Sequence, residues 1–190
     1  IELQPNFALP FFVLGNINME LKDYENAESN YQKAIEINPN IIGAHNNLGV
    51  VFKTLNDHEN AVSCYRKAIK IKSDHVGAHH NLAMALKELG KFDESIKSHE
   101  TAIKYEPENS SHYFYLSELK KDILAPQLKS KLEKIIQNDK LSKNNLAFAN
   151  YLLSKFEQKS KNYEKEFNYL IKGHNCFFDS KKVKFDLGVK

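Results

Sequence analysis

Ile35-Glu-Ile-Asn-Pro39-Asn-Ile41 has three counterparts in this chain. One precedes it, Ile1-Glu-Leu-Gln-Pro5-Asn-Phe7. Two follow, Ile69-Lys-Ile-Lys-Ser73-Asp-His75 and Ile103-Lys-Tyr-Glu-Pro107-Glu-Asn109, each 34 residues from the last. A fixed period of this length marks a solenoid, in which each unit buries its apolar face against its neighbours. The units are 8–41, 42–75 and 76–109, and residues 1–7 read as the end of an upstream unit. The natural start is therefore expected upstream of Ile1. Arrays of this kind offer a surface to another protein more often than they carry chemistry.

Each unit holds two helical patterns. The first carries Phe11, Leu14 and Gly15, then His45, Leu48, Gly49 and Phe52, then His79, Leu82, Ala83 and Leu86. The second carries Ala27, Tyr31 and Ala34, then Ala61, Tyr65 and Ala68, then Ser95, His99 and Ala102. Small residues such as Gly15 and Ala27 suit a close helix crossing, and Tyr31 and Tyr65 fill the space between helices. Pro39 and Pro107 end their second helices, because proline cannot continue one. Asp23-Tyr24, Asp57-His58 and Lys91-Phe92 fall at the turn between paired helices, where Tyr24 and Phe92 are expected to staple the turn to the core.

The period, the Leu-Gly pair, the Ala-x-x-x-Tyr-x-x-Ala run and the closing Pro together resemble the tetratricopeptide repeat (TPR). The resemblance implies an all-α, right-handed α-α superhelix. After Asn109 the register fades, so residues 110–190 are read as irregular helices followed by a divergent terminal helix pair. Pro126 suits the first turn of a helix over 127–138. A polar stretch over 139–145 separates it from a helix over 146–158, expected to be about one turn longer than a standard one. Asn162-Tyr163-Glu164-Lys165 repeats the inter-helix turn.

Leu146-Ala-Phe-Ala149, Asn162-Tyr-Glu-Lys-Glu-Phe167 and Leu170-Ile-Lys-Gly-His174 also resemble a divergent TPR unit of bacterial TPR-linked sulfotransferases. That resemblance implies the non-catalytic front of a longer enzyme using the sulfuryl donor PAPS. No Gly/Ser/Thr-rich phosphate loop occurs among the seven glycines, so no catalytic residue is carried over and no cofactor is expected.

Composition narrows the class further. Hydrophobic residues make up 42% and charged residues 27%, the balance of an ordinary globular protein. No apolar run approaches the ~20 residues that span a bilayer, so no membrane partner is expected. Cys64 and Cys176 fit no metal or redox spacing and read as free thiols in a cytoplasmic protein. The net charge of +3 hides 11 Lys/Arg against 15 Asp/Glu over 1–109, and 16 against 9 over 110–190. The basic half spreads its lysines along helical faces, which reads as solvated surface and not as a nucleic-acid site.

In a TPR array the first helices line the inner groove. The inward candidates are Phe12, Asn16, Asn46, Asn47, His80, Asn81 and Phe114, with Val50, Lys53, Met84, Lys87 and Glu88 further along. Asn47 and Asn81 stand one repeat apart, and an amide both donates and accepts. They can pair with the backbone of an extended peptide or solvate the groove themselves. They resemble the asparagine ladder of O-GlcNAc transferase arrays. Asn16 and Asn47 resemble part of the clamp of chaperone-tail receptors. That clamp needs two basic residues where this chain has Gly77 and Asn81, so a chaperone tail is not expected to bind. His45 and His79 fall at the aromatic packing position of successive units and are read as packing residues, not metal ligands.

Three functions remain in play. The leading one is a module that binds an extended peptide or protein segment. The second is the sulfotransferase front, and the third a structural array that self-associates through bare repeat ends.

Overall fold

The computed structural model describes residues 7–138 and 140–186. The chain divides into two compact units, Ile1–Tyr105 and Glu106–Lys190. Among the described residues every regular element is helical. The first unit holds α1 (Ala8–Glu20), α2 (Tyr24–Ile37), α3 (Ile42–Thr54), α4 (His58–Ile71), α5 (Val76–Glu88) and α6 (Phe92–Tyr105). Helices pack in the pairs α1/α2, α3/α4 and α5/α6, and the pairs join through α2/α3 and α4/α5. This is the architecture of a TPR solenoid.

The turn inside each pair is built the same way three times. Lys22, Asn56 and Gly90 take positive φ at 59°, 62° and 70°. That left-handed residue reverses the chain, and the second helix starts two residues on. Asp23 and Asp57 then cap α2 and α4 by accepting from the amides of Asn26 and Asn60. Side-chain bonds from Asn26 and Asn60, and then these backbone bonds, hold both carboxyls below the usual aspartate range. Tyr24 packs on the core as expected, but Phe92 is exposed. Lys91 supplies no carboxylate cap at that turn.

The core of each pair is one small residue against one ring. A Cβ on Gly15 would lie 2.5 Å from Cε1 of Tyr31, and one on Gly49 2.6 Å from Cε1 of Tyr65. Both rings are fully buried. In the third pair both partners change together: Ala83 replaces the glycine and the smaller His99 replaces the tyrosine. Ser95, where the earlier units have alanine, donates from Oγ to the carbonyl of Ala83 at 2.7 Å. Cys64 lies buried in the cluster formed by α2 and α3, and burial raises its thiol pKa to about 11.

A second device ties each first helix back to the chain before it. The Nε2–H of His45 donates to the carbonyl of Pro39, and that of His79 to the carbonyl of Ser73, both at 2.8 Å. In the second unit Tyr113 repeats the tie, its hydroxyl donating to the carbonyl of Pro107 at 3.0 Å. Three rings of two types at one repeat position thus satisfy a carbonyl left open where the preceding second helix ends.

The second unit holds α7 (Ser110–Leu119), α8 (Pro126–Ile135), α9 (Lys143–Lys159) and α10 (Tyr163–Asp186), with a 3-10 turn over Lys121–Ile123. Pro126 opens α8 as expected, but α8 stops at Ile135 and α9 begins at Lys143, inside the stretch read as a polar linker. Asn145 is therefore a helical residue. Its side chain accepts from the amide of Ser110 at 2.7 Å and donates to the carbonyl of Glu108 at 2.9 Å. Ser142 supplies the α9 cap. Lys161 repeats the left-handed turn at φ 58°. In α9/α10 the small-and-ring pair is reversed, since Gly173 of the second helix receives Tyr151 of the first. Glu157 is buried and paired with Lys129 at 2.7 Å.

Gly49→Ala is expected to destabilise the chain. Overpacking costs about 1–3 kcal/mol, against about 1 kcal/mol gained in helix propensity. Gly49→Ala/Tyr65→His, which copies the third pair, is expected to recover most of the loss. Urea denaturation of the single and double variants measures both.

Candidate functional site

The first helices of the first unit carry their asparagines into one hydrogen-bonded relay. Asn81 of α5 donates from Nδ2 to Oδ1 of Asn46 on α3 at 3.1 Å. Asn46 donates to Oδ1 of Asn47 at 3.1 Å. Asn47 donates to Oδ1 of Asn16 on α1 at 2.9 Å. The hydroxyl of Tyr31 closes the relay by donating to the same Asn16 oxygen at 2.8 Å. All four asparagines are half-buried. The relay crosses three successive repeats, with Asn16 on α1, Asn46 and Asn47 on α3 and Asn81 on α5.

Each amide nitrogen carries two N–H groups, and those of Asn46, Asn47 and Asn81 each spend one in the relay. The Asn47 side chain also bonds the Tyr31 hydroxyl. The relay thereby orients a row of amides and fixes which edge of each amide faces its neighbour.

The other inward candidates take different places. Phe12 is half-buried, tilted against Tyr31 with ring centroids 6.0 Å apart, and its ring lies where a Cβ on Gly43 would meet it at 2.9 Å. It wedges α1 against α3. His80 is half-buried and meets the ring of His99 edge-on at 5.7 Å. Val50, Lys53, Met84 and Lys87 are half-buried, and Glu88 is exposed. Phe114 belongs to the second unit. There it packs with Phe148 at 5.2 Å and Tyr115 at 5.6 Å, and the Lys155 ammonium stands 4.4 Å from its centroid. That arrangement is a cation–π contact within the unit's own packing.

His45, His75 and His79 have backbone partners. His45 and His79 hold carbonyls as described, and Nδ1 of His75 accepts from the amide of Ala78 at 2.9 Å, capping α5.

Three family models match the chain: one described as a TPR repeat over residues 15–56, and two as tetratricopeptide repeats over 43–75 and 64–97. Residues 15–97 are recognised as tetratricopeptide repeats. These matches lie within 15–97, so they add nothing to the sulfotransferase resemblance of residues 146–178. Among curated proteins none matches the chain with significance.

Solved structures share the TPR fold. Pseudomonas aeruginosa pilF is 24% identical, with a TM-score of 0.70 over 93% of this chain and 78% of that one. YrrB, described as a TPR protein with an unusual peptide-binding site, is 18% identical, with a TM-score of 0.62 over 96% and 92%. The first TPR of Spaghetti (RPAP3), solved with the HSP90 peptide SRMEEVD, is 21% identical, with a TM-score of 0.61 over 66% and 99%. At these identities the likeness is one of fold. Among the described residues no helix is long and apolar enough to cross a membrane.

The relay gives the two tyrosines opposite expectations. One repeat after Asn16 stands Val50, and the hydroxyl of Tyr65 is buried with no partner among the described residues. Burial raises the pKa of that hydroxyl. Tyr65→Phe is therefore expected to stabilise the chain by about 1 kcal/mol, because an unmatched buried hydroxyl is removed. Tyr31→Phe is expected to cost about 1 kcal/mol, because a made bond is lost. Asn16→Val is expected to destabilise in the Tyr31 background and to cost less in Tyr31→Phe. Thermal melts of this double-mutant cycle read the coupling directly.

Proposed function

We propose that this chain is a protein-interaction module that binds an extended peptide or protein segment across its first helices. The surface is centred on Asn16, Asn46, Asn47 and Asn81, flanked by Phe12 and His80. The relay of oriented amides is the observation that supports this reading most. An extended backbone offers carbonyls whatever its sequence, and a row of amide donors can meet them without reading side chains. Because the relay holds the amides before a partner arrives, little side-chain freedom is left to lose on binding.

The TPR structures with bound or described peptide sites lend a precedent. The Spaghetti (RPAP3) domain was solved with a peptide ending in Glu-Glu-Val-Asp. The same ligand class does not suit this face. A terminal carboxylate needs charge-assisted donors, and Gly77 and Asn81 supply no cation where the clamp would need one. An enzymatic role as the front of a PAPS-dependent sulfotransferase rests on the resemblance of residues 146–178 alone, and the geometry of the face adds no support to it.

Peptides selected from a displayed random library and resynthesised with a fluorophore provide the test. Binding followed by anisotropy is expected to fall at least about tenfold in Asn47→Ala/Asn81→Ala, on the basis that each lost hydrogen bond is worth about 1 kcal/mol. Circular dichroism should show helicity intact. Unchanged affinity in the folded double variant would refute the asparagine face. A synthetic peptide ending in Glu-Glu-Val-Asp is expected to show no tight binding, and micromolar affinity would overturn that exclusion.

A further inference from the structure

In the second unit, residues from α9, α10 and the end of α8 surround an open cleft of about 360 Å³. Ile136, just past α8, and Leu146 of α9 give it an apolar wall. Asn150 stands one turn on from Leu146, and α10 supplies Lys172, Asn175 and Cys176, spaced i, i+3 and i+4 on one face. An apolar wall with a few polar groups around it is the character of a small-molecule site.

Asn150 is the residue whose presence needs a reason. It is 5% exposed and sits between the buried Leu146 and Leu153. Its Nδ2 donates to the carbonyl of Leu146 at 2.8 Å, which fixes the direction of the amide. Its Oδ1 is buried and accepts no hydrogen bond among the described residues. A carbonyl stripped of water and given no donor weakens a fold. Leucine at this position would avoid that loss and suit a helix better. Buried polar groups are normally paired, so an open acceptor on the wall of a cleft calls for a donor from outside the chain. Lys172 is exposed, its ammonium 5.9 Å from the centroid of the Tyr169 ring, and it brings one positive charge to the cleft.

We propose that this cleft binds a small aliphatic carboxylate carrying an N–H or O–H donor. That chemistry is shared by a branched-chain amino acid, its N-acyl derivative and its hydroxy analogue. The donor meets Oδ1 of Asn150, the carboxylate meets the Lys172 ammonium, and the aliphatic chain lies on Ile136 and Leu146. Cys176 on the same wall is partly exposed, so a ligand there shields its thiol. The site lies apart from the asparagine face and does not rest on peptide binding.

Alkylation of Cys176 by iodoacetamide in the full chain, read by mass on the peptide that carries it, provides the test. Leucine, N-acetylleucine and 2-hydroxy-4-methylpentanoate are the probes, and the one that protects best identifies the donor. At ten times its dissociation constant a probe is expected to slow the reaction about tenfold, since about one site in ten stays empty. 4-Methylpentanoate has the same chain and carboxylate but no donor, and is expected to bind at least about tenfold more weakly. Asn150→Leu is expected to raise the melting temperature and remove the protection, a pairing that a merely structural asparagine would not give. Lys172→Glu, at an exposed position, is expected to keep the fold and lose the protection. Failure of all three probes to slow alkylation would overturn the proposal. So would equal protection by 4-methylpentanoate, or protection that survives either substitution.

Discussion

The contact between a glycine on one helix and a buried tyrosine ring on its partner sets the spacing of this molecule. Gly15 and Gly49 have no Cβ because the space it would need is filled by Tyr31 and Tyr65. The ring is held from all sides, so neither partner can grow alone. Where the ring shrinks to His99, the small residue grows to Ala83; where the small residue moves to the other helix at Gly173, the ring moves too, to Tyr151. Interiors packed to crystal-like density tolerate exchange only when total volume is kept. The face of the first helices inherits its geometry from this crossing, because the distance between pairs decides whether Asn47 reaches Asn16.

Polar groups follow a different logic from the apolar core. At the ring position of the first helices, His45, His79 and Tyr113 share one task, holding a carbonyl where the preceding helix ends. The side chains differ in size and charge but each presents a donor at similar reach. The asparagine relay is less regular. It needs Asn46 and Asn47 side by side in one unit and single asparagines in the flanking units. Its continuity is a property of three repeats together and of none alone.

Much of the first unit was legible in its period. The small-and-ring pairs, the turns at Asp23 and Asp57, and the packing role of His45 and His79 all follow from reading one unit and adding 34. What periodicity did not carry is partner identity. The imidazole tie to Pro39 needs the position of a backbone carbonyl, and the relay needs side-chain direction across units. Tyr31's hydroxyl is the clearest omission: its signal was Asn16 standing where the next unit has Val50, a polar residue opposite a ring that elsewhere goes unpaired. In the second unit the polar run 139–145 was read by composition as a linker. Ser142 instead caps a helix and Asn145 reaches back to Ser110, so polar composition there meant capping and bridging. Phe92 shows the converse, an apolar residue at a turn that stays in solvent.

The buried thiol of Cys64 has a consequence for how the array's breathing can be followed. With its pKa raised to about 11, roughly one molecule in ten thousand carries the reactive thiolate at neutral pH, even before access is considered. A thiol reagent therefore modifies Cys64 in proportion to how often the helices around it stand apart. Cys176, which is not fully buried, provides an internal reference in the same chain. The protein thus carries its own clock for excursions between neighbouring repeats, readable by mass without any engineered label.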